Sequence, residues 1–244
     1  MDTIQKIFLT AEWKNLIMAN YAVDPIVLQT YLPAHTELDS FNGKYYVSLV
    51  GFMFEKVKIK SISIPFHTNF PEINLRFYVK LTDKDGSVKR GVVFISEIVP
   101  KAAIAWVANN IYREKYVATA MKHSVLLSDK ALELTYSWYW KGKDNLISAN
   151  AANQLWPIEP GTAEAFIFEH YFGFAKVNDA TTNMYTVEHP TWNTYPVHSY
   201  KIDCNFQNFY GSEFSFLDNA IPDSVFIAAG SAVVIRDKTV LKKK

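Results

Sequence analysis

Gly91-Val92-Val93-Phe94-Ile95-Ser96-Glu97-Ile98-Val99-Pro100-Lys101-Ala102-Ala103-Ile104-Ala105-Trp106-Val107-Ala108-Asn109-Asn110-Ile111-Tyr112 carries two structures in one run. From Val92 to Val99 the residues are apolar and mostly β-branched, interrupted only by Ser96 and Glu97. That pattern predicts a strand buried on both faces. Pro100 ends it. Beyond, Ala102, Ala103, Ala105 and Ala108 favour a helix, with Ile104, Val107, Ala108 and Ile111 on its apolar face and an end near Arg113. Lys101 stands at the junction. Buried without a partner, its amine would lose its charge and become a nucleophile. The alternative is a lysine at a helix start that reaches back to water.

Working outward, the chain reads as β-rich throughout. Ile7 to Tyr21 is an opening strand, and Asp24-Pro25 starts a short helix that stops near Pro33. A short strand follows at Thr36 to Leu38. Asn42-Gly43 signals a hairpin turn before a long strand from Tyr45 to Phe54. Lys56 to Ile64 alternates polar and apolar residues, the period-2 pattern of a strand with one wet face, and Ile73 to Leu81 alternates again. Tyr116 to Leu127, Leu132 to Trp140 and Leu146 to Ala152 form an expected three-stranded meander, with turns at Ser128-Asp129 and Gly142. Later come a short helix capped by Thr162, a hairpin across Asn178-Asp179, a strand from Pro196 to Asp203, a helix from Phe206 to Tyr210, and a closing strand from Ser224 to Arg236 with Gly230 as a bulge. There is no repeat and no long linker. The expectation is a single domain over residues 1–244, α+β in class and mainly β.

Composition narrows the function classes. The chain has 244 residues, of which 49% are hydrophobic, enough for a sizeable core. The net charge of +1 gives no field to gather nucleic acid or an anionic membrane, so neither is expected as a partner. The basic cluster Lys242-Lys243-Lys244 is expected as a solvated tail. One cysteine, Cys204, excludes an internal disulfide and fits a cytoplasmic location. The first twenty residues lack the apolar core of a signal peptide, and no apolar run has the length of a membrane span. The oligomeric state is not legible.

Motifs with chemistry are few. There is no glycine-rich phosphate loop, no zinc pattern and no nucleophile elbow; neither metal nor cofactor is expected. The six histidines lack ligand spacing. His67 stands apart, because Asn69, Glu72, Asn74 and Arg76 follow closely among Phe66, Phe70 and Phe77. Such a mixture suits a pocket wall, or equally a loop whose polar groups bind one another. Asn74 and Arg76 share a strand face, being two apart. If that face is inward, Arg76 needs an anion: Glu97 on the next strand, or a ligand.

Taken together, several segments resemble the YqjF-like family, domain of unknown function 2071. They are Thr10 to Leu16, Tyr46 to Phe52, Ile64 to Phe70 with Asn74 to Val79, and Gly91 to Glu97, with Glu188-His189-Pro190 and Pro222 to Phe226 added. That family is similar to the acetoacetate-decarboxylase-like superfamily. The resemblance implies a cone-shaped, double-layered β-barrel with a few short helices around a central cavity. Against the decarboxylase pattern, Glu97-Ile98-Val99-Pro100-Lys101 places Lys101 on the Schiff-base nucleophile. The neighbouring lysine falls on Ala102, the N-terminal arginine on Ala11, and no carboxylate stands between Val57 and Ser63. The resemblance therefore implies a small-molecule ligand in the cavity, without acetoacetate decarboxylase activity, and the residues read above, His67, Asn69, Asn74, Arg76 and Glu97, are its candidate contacts. The alternatives are a keto-acid enzyme working through Lys101 and a non-catalytic interaction module.

Overall fold

The computed structural model describes residues 5–242. In chain order the strands and α-helices are β1 (Ile7–Val23), β2 (Glu37–Leu38), β3 (Tyr45–Ile59), β4 (Phe70–Thr82), β5 (Val88–Val99), α1 (Ala102–Ile111), β6 (Tyr116–Ala118), β7 (Met121–Leu127), β8 (Ala131–Trp140), β9 (Lys143–Ala152), β10 (Trp156–Pro157), α2 (Ala163–Phe168), β11 (Phe172–Asn178), β12 (Thr181–Glu188), β13 (Asn193–Tyr195), β14 (Val197–Asp203), α3 (Phe206–Tyr210), β15 (Ser224–Arg236) and β16 (Thr239–Lys242), with 3-10 helices at Pro25–Tyr31 and Ser212–Asn219.

Seven strands close a ring in the order β15-β1-β3-β4-β5-β11-β12 and back to β15. Most neighbours pair over long antiparallel ladders, as β1 and β3 do from Leu9 to Val23. Two contacts are short. The parallel β5–β11 pair joins only Gly91–Phe172 and Val92–Gly173, and β12–β15 joins only Val187–Ile235 and Glu188–Val234. Gly91 is required at the first. A Cβ there would stand 2.4 Å from the Phe172 carbonyl oxygen.

Alternation along β4 separates two cores. Ile73, Leu75, Phe77 and Val79 point outward, into a cluster shared with Leu134, Tyr136, Trp138 and Ile147 of the second sheet, β14-β9-β8-β7. Tyr78, one of the residues of opposite parity, belongs to the core inside the ring with Val50, Phe52 and Val92. The ring is thus inner and the four-stranded sheet covers its outside, with α3 and Phe214 and Leu217 completing that layer. Helix α2 puts Phe166 against Tyr78 at one end of the lumen. At the other end Ala105 of α1 packs into the same inner core, with Ile104 against it.

Several boundaries differ from expectation for identifiable reasons. The alternating stretch over Lys56 to Ile64 is strand only as far as Ile59. Strand β3 runs on through Ile59 because Lys56 takes a left-handed conformation (φ 55°) whose amide is met by Asn69 Oδ1 at 2.9 Å. Lys60 and Ser61, also left-handed, then reverse the chain. The first meander strand, expected over Tyr116 to Leu127, is split. Strand β6 pairs with β5 in the ring, and after Thr119 the chain crosses to the outer sheet as β7. Gly230 has φ 79° opposite Lys14, and a Cβ would lie 2.0 Å from the Trp13 carbonyl oxygen, which excludes other residues there. Lys242 ends a strand paired with β12; Lys243 and Lys244 of the expected tail lie outside the described residues.

Candidate functional site

Two chambers follow one another inside the ring. The outer one, about 180 Å3, is walled by apolar side chains of β1 and β3 and by one face of α1, Ala103, Ile104, Val107 and Ala108. The inner one, about 70 Å3, is more polar and reaches Trp13, Asn74, Arg76, His170 and His189. Phe54, Glu72, Glu97, Tyr116, Tyr185 and Ile235 line both and form the neck between them. Strand β4 serves as a ruler: Phe70 and Glu72 face the outer chamber, Asn74 and Arg76 the inner, and Tyr78 meets α2.

Three carboxyl groups surround the neck. Glu72 accepts from Asn74 Nδ2 at 3.1 Å and from Tyr116 Oη at 2.9 Å. Glu114, on the segment between α1 and β6, accepts from Tyr185 Oη at 2.9 Å. Glu97 is buried, and its Oε2 has no partner. Among the described residues no lysine, arginine or histidine nitrogen lies within 4.0 Å of any of the three. Removal from water without a counter-charge disfavours the anion. Burial raises Glu72 to about 7 against the lowering hydrogen bonds from Asn74 and Tyr116, and burial raises Glu114 to about 7 as well. Burial, reinforced by the charges of Glu114 and Glu72, pushes Glu97 well above the usual carboxylate range. Below pH 7 the neck therefore holds protons on its carboxyls.

Beyond the neck, Asp39 accepts from Arg90 Nε at 2.7 Å and lies 3.2 Å from His170 Nε2. Burial raises Asp39, but its bonds to His170 and Arg90 outweigh this and hold it at about 2. The Arg90 guanidinium covers the Phe166 ring at 4.7 Å, so this network anchors α2. His189 stacks on Trp192, their ring centres 4.3 Å apart.

The candidates read from sequence divide. Asn74, Arg76 and Glu97 meet in the lumen as the shared strand face required. His67 lines the outer chamber at its rim, with Nδ1 2.8 Å from the Pro65 carbonyl oxygen. Asn69 is exposed and supports the Lys56 turn; it lines neither chamber. Lys101 also lines neither. It precedes the first turn of α1, its carbonyl accepting from Ile104 and Ala105, and the helix presents Ile104 and Val107 to the lumen instead. The expected Arg76–Glu97 pair is not made. A bulge at Ile95 advances the ladder, so Leu75 pairs with Ser96 but Arg76 with Phe94, and Glu97 stands opposite Asn74. Sequence reasoning singled out Glu72 only as a neighbour of His67. It gave no signal for Glu114 or Tyr185, which come from an irregular segment and a distant strand.

Structures of the same fold are known. An acetoacetate decarboxylase from Legionella pneumophila aligns with a TM-score of 0.63 and 14% identity over 97% of this chain and 88% of that one. An acetoacetate decarboxylase-like enzyme from Sphingomonas wittichii RW1 aligns at 0.66 and 10%, over 98% and 95%. The enduracididine biosynthesis enzyme MppR, complexed with pyruvate, aligns at 0.64 and 11%, over 99% and 93%. The fold is thus the acetoacetate-decarboxylase-like one, mainly β. In sequence, the uncharacterized protein YqjF of Bacillus subtilis (strain 168) is 35% identical over 75 residues, a match covering 30% of this chain and 31% of that protein. The chain therefore matches about a third of this relative's length. The model of DUF2071, described as an uncharacterized conserved protein, matches residues 10–232, and the chain belongs to that family.

Proposed function

We propose that the chain binds a small organic molecule in the lumen of the ring. One observation carries the reading. Trp13 Nε1, Asn74 Oδ1, Arg76 Nε, Glu97 Oε2 and His170 Nδ1 are buried without a hydrogen-bond partner, and all five residues line the inner chamber. An unmet buried polar group costs about 1–3 kcal/mol, so five around one space mark a site organised for something it holds. The outer chamber adds apolar surface of the kind that encloses a ligand's hydrocarbon part. That MppR, of the same fold, is seen with pyruvate supports a ligand of this size.

A Schiff-base reaction at Lys101 finds no support in the placement of that residue. Within this reading the chain is a single-domain protein of the cytoplasm. Pairing of β1 with β15 across the chain supports the first, and the free, buried Cys204 supports the second. Among the described residues, no helix is long and apolar enough to cross a membrane. Native mass spectrometry of the purified protein, followed by mild denaturation and analysis of what is released, tests the binding reading. A released small molecule, lost in a Val107→Trp variant that fills the outer chamber, is the expected result. Tight binding by Val107→Trp as by the parent chain would refute a lumen site.

A further inference from the structure

We infer that the ligand carries a positively charged nitrogen, an amine on a compact apolar body, seated between Glu72, Glu97 and Glu114. The inference rests on the lumen-binding reading and adds the ligand's chemistry. The polar groups of the outer chamber are three carboxyls, three tyrosine hydroxyls and His67, and no lysine or arginine side chain lines it. Two of the hydroxyls, of Tyr116 and Tyr185, are already committed to carboxylate oxygens. A second observation is independent of the carboxyls. Asn74, 2% exposed, gives its Nδ2 to Glu72 and leaves Oδ1 unmet, an acceptor waiting for a donor beside the same neck. With Glu97 Oε2 it makes two empty acceptors where an ammonium group brings three donors. Lys115 follows Glu114 in the chain and feels its charge from outside the chambers; the cation inside the lumen is Arg76, two residues beyond Asn74 in the inner chamber, and it makes no ion pair with these carboxyls. It disfavours an ammonium from behind, which confines the charged nitrogen to the neck.

Charge balance follows. In the empty protein burial keeps protons on these carboxyls, with Glu72 and Glu114 raised to about 7. An entering ammonium replaces a proton, which leaves to solvent while a carboxylate forms beside the cation. Below pH 8 the ligand amine stays charged, as a lysine amine with pKa about 10 does. Affinity therefore rises with pH from 6 to 8. His67 at the rim faces the same space.

The chamber sets the size of the probe. A cavity of about 150 Å3 lined by aliphatic and aromatic side chains holds a benzene ring, and this one measures about 180 Å3. Titration calorimetry compares benzylamine, benzyl alcohol and benzoate in two buffers of different ionisation enthalpy, at pH 6 and 8. Benzylamine is expected to bind with proton release and more tightly at pH 8. Benzyl alcohol is expected to bind about tenfold more weakly and without proton release, as loss of a charged hydrogen bond implies. Glu97→Gln and Glu114→Gln are each expected to remove most of the benzylamine preference, and the second keeps the test open if the first misfolds. Equal or tighter binding of the alcohol or the benzoate would overturn the amine while leaving the lumen site standing. No binding of any of the three would count against both.

Discussion

Asn74 and Glu97 stand opposite one another in the β4–β5 ladder, and each leaves a buried oxygen without a donor. Two acceptors side by side do not satisfy each other. A proton on Glu97 supplies the missing donor, which agrees with the upward push that burial gives this carboxyl. The ladder thus sets a neutral acid in the middle of the barrel, and the acid is kept neutral by burial and by the charges of Glu114 and Glu72, with no ion pair to offset them.

Glu97→Gln should accordingly be tolerated and should stabilise the empty protein at high pH. The amide keeps the shape and provides an NH2 donor without a charge to desolvate. At pH 8 a gain in stability is expected from chemical denaturation, because the variant no longer carries a buried carboxyl that burial pushes well above its ordinary range. A loss of stability at pH 8 would mean that the ionised form is the one the fold prefers.

Stability should fall between pH 4.5 and pH 7. For Glu72 and Glu114 the folded-state value is about 7 against an ordinary 4.5. In that window the native state holds protons that the unfolded chain has released, so raising the pH favours unfolding. The contribution is fully present below 4.5 and is gone above 7, up to about 3 kcal/mol for Glu72 taken alone. Asp39, held at about 2, acts in the opposite sense, and its contribution disappears as the pH falls below its ordinary value of 3.8. Denaturation midpoints measured from pH 4 to 8 should decline through this window, and a Glu72→Gln variant should flatten the decline. A midpoint that rises steadily to pH 7 would contradict the neutral cluster.

Gly173→Ala should disturb the neck from behind. The added methyl would stand 2.1 Å from Cζ of Tyr185, whose hydroxyl holds Glu114. The ring must move, and overpacking of this kind costs about 1–3 kcal/mol. Pairing it with Tyr185→Leu should recover part of the stability, because the smaller side chain vacates the space. Strictly additive losses in the double variant would show that the clash lies elsewhere.

What the sequence revealed of this site follows from which interactions are local. The face shared by Glu72, Asn74 and Arg76 was legible because alternation in a strand depends only on spacing. So was the passage from strand to helix at Pro100, where one residue cannot continue a ladder and the next ten favour a helix. Closure of the ring was not legible in the residues themselves and was expected only from the family resemblance. It depends on two ladders of two residue pairs each, between strands distant in the chain, and no composition signal marks them. The bulge at Ile95 was hidden for a related reason. An extra residue in an apolar run leaves the run looking unbroken, yet it moves Arg76 away from Glu97 and sets Glu97 against Asn74. Glu114 was missed because it comes from an irregular segment, where spacing gives no direction to a side chain.

Lys101 should prove dispensable for binding and unreactive toward carbonyl compounds. A Schiff base requires that the amine meet the carbonyl carbon inside the site, and Lys101 lines neither chamber. Its carbonyl is engaged by the first turn of α1, and the helix turns Ala103, Ile104, Val107 and Ala108 to the lumen in its place. Borohydride treatment in the presence of acetoacetate or pyruvate should therefore leave the intact mass unchanged, and Lys101→Ala should bind lumen ligands within about twofold of the parent chain, as surface changes away from a site do. Covalent trapping that disappears in Lys101→Ala would show instead that α1 opens and that the superfamily's carbonyl chemistry survives here.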